Sequence, residues 1–88
     1  MKNNFSNSSN DEIELFYKRI STRIKKLREE KNLTQLDLAL DIGIKSVAFY
    51  SNCENNRYNK HFNLEHLYKI SKSLKIDICE LFLEKETK

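Results

Sequence analysis

Residues 33–54, LTQLDLALDIGIKSVAFYSNCE, set the chain's only glycine, Gly43, between two short runs with helical spacing. With no proline anywhere, a lone glycine marks one tight reversal in an otherwise helical sequence. The Thr34 hydroxyl can cap a helix beginning at Gln35. Asp37, three residues on, completes a capping box and puts negative charge in the positive first turn. Leu36, Ala39 and Leu40, flanked by Leu38 and Ile42, predict an apolar stripe on this helix. Ala39, small and central, allows a second helix to cross closely, at the roughly 90–120° of a helix-turn-helix pair. Gly43 supplies the positive backbone angle that ends the helix, and Ile44 can fold back onto it. Ser46 is the expected N-cap of a second helix over 47–53, with Tyr50 and Cys53 facing the same core.

The remaining pattern agrees with one small all-α domain. At 88 residues a single core is marginal, which favours a helical bundle with short connections and stabilisation by dimerisation. Residues 1–10 are polar and rich in Asn and Ser, and read as a disordered N-terminal arm. Helix 1 is expected from about Asp11, where Asp11 with Glu14 or Ser9 with Glu12 offers a cap. Its stripe of Ile13, Phe16, Ile20, Ile24 and Leu27 ends before Asn32. Asn63 caps a fourth helix with the stripe Leu64, Leu67, Ile70, Ser71 and Leu74. Asp77 with Glu80 forms a capping box for a fifth carrying Ile78, Leu81 and Phe82. The domain is thus placed at 11–83, and residues 84–88 are expected to be a flexible C-terminal tail. No apolar run reaches the roughly 20 residues of a membrane span, and no signal-peptide pattern is present, so a cytoplasmic protein is expected. Cys53 and Cys79 have neither metal-ligand nor redox spacing and are expected to be reduced core thiols.

The segments 33–54, RIKKLREEKNLTQ (23–35) and LEHLYKISKSLKIDICELF (64–82) together resemble the Cro and phage-repressor type of helix-turn-helix protein, the Xre family. The likeness covers about residues 16–83. It implies a compact five-helix bundle of the lambda-repressor-like DNA-binding type, with helices 2 and 3 as the helix-turn-helix. Three departures stand out. The turn at residues 43–46 looks one residue longer than usual, so the register of the recognition helix is open by one. A register aligning Tyr50, Cys53 and Glu54 with the family's apolar, apolar, Glu ending is preferred to one burying Phe49 and Asn52, because asparagine is a poor core residue. The loop at 55–62 looks about two residues longer than the family norm. Lys75 stands where the family often has glycine.

What the resemblance implies about function is recognition of double-stranded DNA through the major groove, as a homodimer on an inverted repeat, most simply as a transcriptional repressor. The candidate base-contacting residues are Ser46, Val47, Ala48, Ser51 and Asn52. An asparagine amide can pair with adenine N7 and N6, and Val47 or Ala48 can pack on a thymine methyl. Candidate phosphate contacts are Gln35, Lys45, Asn55, Asn56, Arg57, Tyr58 and Lys60. Glu54 is expected to pair with Arg19, Arg23 or Arg28 of helix 1. Leu81, Phe82 and Leu83 exceed what one small core can bury and form the favoured dimer interface, with Ile13, Leu15, Phe16 and Tyr17 as the rival surface. The alternative reading is a protein-protein interaction module that keeps the repressor-like fold but has lost DNA binding. No enzyme, cofactor or metal is called for: His61 and His66 lack partners at metal spacing, and there is no phosphate loop or nucleophile motif. The net charge of +3 alone would not have pointed to nucleic acid.

Overall fold

The computed structural model describes residues 5–83, with side chains from Asn10 onward. They form helices α1 (Phe5–Glu30), α2 (Gln35–Asp41), α3 (Val47–Glu54) and α4 (Leu64–Leu74), followed by a 3-10 helix, Ile78–Phe82. No strand occurs among the described residues. The chain is all-α, but the fifth element is not the α-helix expected. The Asp77 carboxylate accepts the Cys79 N–H at 2.9 Å, and the Glu80 N–H reaches the Asp77 carbonyl at 2.9 Å, a three-residue closure. Glu80 never completes the capping box with its side chain, because Arg23 of α1 draws the carboxylate away at 3.1 Å. Leu83 is already extended, so the tight turn has no length in which to relax into an α-helix.

Helix α1 starts six residues before the expected Asp11. Extending an existing helix adds a hydrogen bond for each residue ordered, so a polar Ser/Asn stretch can continue one that it would not nucleate. Residues 1–4 of the expected arm, and the whole expected tail at 84–88, lie outside the described residues.

The core gathers Ile20, Ile24 and Leu27 from α1, Leu38, Ala39 and Ile42 from α2, and Tyr50 and Cys53 from α3. Ile44, Phe62, Leu67, Ile70, Leu74 and Leu81 close it. Three expected stripes are thereby corrected, and on α1 the buried set is Ile20, Ile24 and Leu27, while Ile13 and Phe16 are exposed. On α2 the buried set is Leu38, Ala39 and Ile42, while Leu36 and Leu40 are exposed. Leucine at every second position from 36 to 40 satisfies either stripe locally, and contact with α3 and α4 selects one. On α4, Leu64 is the first helical residue and points into solvent, while Leu67, Ile70, Ser71 and Leu74 are buried as expected.

The local signals at the element ends hold. Thr34 and Asp37 make both bonds of the capping box, at 3.0 and 2.9 Å. Gly43 has φ 83°, and the Ile44 N–H turns back to the Ala39 carbonyl at 2.8 Å. Asn63 caps α4 by accepting the His66 N–H at 2.7 Å, and His66 Nδ1 accepts the Asn63 N–H at 3.1 Å. Lys75 ends α4 in the left-handed region, at φ 60° and ψ 45°, performing the glycine's task with a side chain attached. Cys53 is buried, and burial pushes its thiol up to about 11, so it packs as a neutral apolar group. Cys79, expected in the core, is exposed because the 3-10 winding turns Leu81 inward instead.

Candidate nucleic-acid interface

Helix α3 begins at Ser46, whose hydroxyl accepts the Phe49 N–H at 3.1 Å and whose carbonyl accepts the Tyr50 N–H. This cap fixes the register left open above. Tyr50 and Cys53 are fully buried and Glu54 is nearly so, while Phe49 and Asn52 are half-exposed. The opposite face presents Ser46, Val47 and Ala48 to solvent, with Ser51 and Asn52 one turn on. All five candidate base-contacting residues therefore share the outer side of one helix, and none carries a charge.

What holds that helix is a buried polar cluster centred on Glu54. Its carboxylate accepts Arg28 Nε at 2.9 Å and Nη2 at 3.1 Å, Gln35 Nε2 at 2.8 Å and the Tyr50 hydroxyl at 2.8 Å. Arg28 Nη1 also donates to the Leu33 carbonyl at 2.6 Å. Of the three arginines considered as partners, Arg28 is the one, in a bidentate pair that ties α1 to α3 while Gln35 brings in α2. Burial works against the Glu54 charge most strongly. The donors Arg28, Gln35 and Tyr50, with the Arg28 charge, outweigh it and hold the carboxyl below its usual range. The same hydrogen bond, donated to Glu54, raises Arg28 above its ordinary value. Gln35, a candidate phosphate contact, has its amide nitrogen committed to this cluster.

The loop after α3 is held in an unusual shape. Asn56, Tyr58 and Asn59 have φ of 54°, 55° and 58°, a left-handed conformation disfavoured for a bulky aromatic such as Tyr58. Asn56 is a tether: its Nδ2 donates to Ser21 Oγ of α1 at 2.8 Å, and its Oδ1 lies 3.1 Å from His61 Nδ1. The His61 ring stacks on Tyr17 of α1, with centroids 3.6 Å apart and planes within 5°. Asn56 is thus drawn inward, away from the role expected of it. Arg57, Tyr58, Asn59 and Lys60 are left exposed beyond the tether, with Tyr58 at 78%. Ser21 and Tyr17 position this loop through contacts distant in sequence, so no local signal identifies them, while His61 joins them to Asn56 within the loop itself.

Arg57 folds back over α3. Its Nη2 donates to Ser51 Oγ at 3.0 Å and its Nε to Asn52 Oδ1 at 3.3 Å, so one cation and two candidate base-contacting residues form a single cluster. Asn55 Nδ2 bonds the Ser51 carbonyl at 2.9 Å and caps the end of the helix. Between residues 42 and 64 the charged residues are Lys45, Glu54, Arg57 and Lys60. Because Glu54 is buried and paired, the exposed charge of this face is three cations.

A family model described as helix-turn-helix, of the Cro/C1 type, matches residues 24–81. The chain belongs to that family. It is a family of DNA-binding regulators, and the match spans α2, the turn and α3. No curated protein and no solved structure matches the chain significantly. Among the described residues no helix is long and apolar enough to cross a membrane.

The other sequence-derived positions divide. Leu81, assigned to the dimer interface, lies in the core of its own chain at 1% exposure. Of the three residues assigned there, the 3-10 winding leaves Phe82 and Leu83 outward. On α1, Ile13, Leu15 and Phe16 are exposed and Tyr17 is half-buried. Phe16 stacks on Phe82 at 6.4 Å, so the favoured and rival dimer surfaces are one continuous face.

Proposed function

We propose that this protein is a sequence-specific transcriptional regulator, a repressor acting in the cytoplasm, that binds an inverted-repeat operator as a homodimer with α3 in the major groove. The observation that carries the reading is the division of α3 itself. One face is fixed by the Arg28–Glu54 pair and the core, and the other offers only short or uncharged side chains to a ligand. A helix that reads base edges needs this rigidity, since a misplacement of about 1 Å spoils paired hydrogen bonds. Ser46, Val47, Ala48, Ser51 and Asn52 would meet base edges. Lys45, Asn55, Arg57, Tyr58 and Lys60 would hold the flanking phosphates, with Gln35 and Asn56 contributing through the backbone they position.

In the free protein Arg57 occupies Asn52 Oδ1, so docking would exchange that bond for an adenine N6–H while Arg57 turns to a phosphate or a guanine. The test is selection of bound duplexes from a random pool at about 150 mM salt, where nonspecific binding is weak. An enriched inverted repeat with half-sites about 10 bp apart supports the reading. Asn52→Ala should then relax preference at one position per half-site, and Arg57→Ala should weaken binding broadly and shallow its salt dependence. No enrichment from a folded protein would favour an interaction module that has lost DNA binding.

A further inference from the structure

Helix α1 is longer than the domain requires. Its 26 residues span about 39 Å, yet Ile20 is its first buried residue among those with described side chains. From Asn10 to Arg19 every side chain is exposed except the half-buried Tyr17. Helices in proteins draw most of their stability from packing an apolar face rather than from local propensity. Phe16 and Phe82 are 43% and 42% exposed and stack on each other beside a groove of about 310 Å³, with Leu83 next in the chain at 47%.

Over residues 11–26 the charge along this helix is polarised. Asp11, Glu12 and Glu14 precede Phe16, while Lys18, Arg19, Arg23, Lys25 and Lys26 follow it. Glu12, Phe16, Arg19 and Arg23 recur at spacings of four, three and four residues, and so line one narrow face of α1. Arg23, bonded to Glu80, fixes that face against the 3-10 helix, which brings Phe82 alongside Phe16.

We infer that this face docks a second copy of the chain, with the two α1 helices antiparallel across a two-fold axis beside Phe16. The inference rests on the dimeric reading above and names its surface. Glu12 lies about 6 Å of helix before Phe16 and Arg19 about 4.5 Å beyond it. An antiparallel partner therefore sets Glu12 of one protomer against Arg19 of the partner subunit, and the reverse, giving two ion pairs around a shared Phe16 and Phe82 cluster. A parallel pairing would set acid against acid and base against base. This pattern is the self-complementarity that a two-fold interface requires. Lys18 and Glu14 lie on the neighbouring face toward Asn55 and Asn56, off the line of Glu12, Phe16 and Arg19.

The test is sedimentation equilibrium of the full chain at about 150 mM salt with Glu12→Arg, Arg19→Glu and the two combined. Both sites are exposed, and circular dichroism checks that each variant retains its helix. A dimeric wild type is expected, with each single swap raising the dissociation constant about tenfold or more by setting like charges together, and the double swap restoring it to within about threefold. Phe16→Ala should weaken the dimer further, roughly a hundredfold, since two copies of an aromatic anchor are lost. A monomeric wild type, single swaps without effect, or a double swap weaker than either single would each overturn the inference. Dimers that still select an inverted repeat while ignoring the swaps would refute this surface and leave the regulatory reading intact. A monomeric wild type that selects no repeat would remove both.

Discussion

Replacing Glu54 with glutamine changes almost no volume, yet it should remove much of the stability of this fold. Each carboxylate oxygen accepts two hydrogen bonds: Oε2 from Arg28 Nε and Tyr50, Oε1 from Arg28 Nη2 and Gln35. A glutamine amide turns one oxygen into a donor facing two donors, and it leaves the nearly buried Arg28 guanidinium without its counter-charge. Breaking a buried ion pair from one side costs about 3–5 kcal/mol, and we take about 4 kcal/mol here. For a domain of this size, total stability is roughly 4–13 kcal/mol, so Glu54→Gln should populate the unfolded state substantially. Urea unfolding followed by circular dichroism should show the midpoint lowered by roughly 2–4 M. Arg28→Met with Glu54→Leu should cost less than the sum of the single changes by at least about 2 kcal/mol, because the second change removes a charge that the first left unpaired. Additivity within about 0.5 kcal/mol, or a Glu54→Gln loss under about 1 kcal/mol, would refute the claim that this cluster mounts α3. The pH dependence has a definite sign. The folded carboxyl is depressed below 4.5, so its stabilisation is full above that pH and is lost as pH falls through the folded value. Glu54→Gln should lack this part of the acid transition.

Three further outcomes follow from local geometry. Lys75→Gly should raise stability by about 1 kcal/mol, since glycine adopts the left-handed cap without the side-chain penalty; thermal unfolding of the two proteins checks it. Tyr58→Gly should likewise stabilise the fold by about 1 kcal/mol, but in the proposed regulator it should lower DNA affinity, and equal affinity would free Tyr58 of a phosphate role. Burial, partly offset by Glu65 and reinforced by Lys69, lowers His66 from 6.5. A depressed folded value means that stability from His66 is present above about pH 6.5 and declines below it, as the proton takes the nitrogen that accepts the Asn63 N–H. His66→Gln, whose side-chain oxygen can make the same cap, should flatten stability between pH 5 and 7 without lowering it at pH 7.

What could be read from the residues alone followed how far each signal reaches. Thr34 with Asp37, Ser46, Gly43 and Asn63 act on backbone groups within four residues, and each was legible with its role. The buried pair Tyr50 and Cys53 followed from the family's helix ending together with the rejection of a buried asparagine, and Arg28 was one of three named partners for Glu54, whose burial the sequence did not reveal. Leu36 and Leu40 could not be told from Leu38 and Ile42, because alternate leucines satisfy helical spacing on either side. The early start of α1 and the 3-10 form of Ile78–Phe82 also escaped, the first a matter of propagation from a helix anchored elsewhere, the second of Arg23 competing for Glu80.

The sequence by itself determined an all-helical chain, the turn that sets α2 against α3, and the outward face of α3, because caps, glycine and apolar period act through neighbouring peptide groups. Only the tertiary structure decided that Asn56 is a tether rather than a free contact, that Leu81 belongs to the core, and that Phe16 and Phe82 make one face. Those outcomes depend on which groups meet across tens of residues, where many pairings share the same local pattern and packing of the whole core selects one.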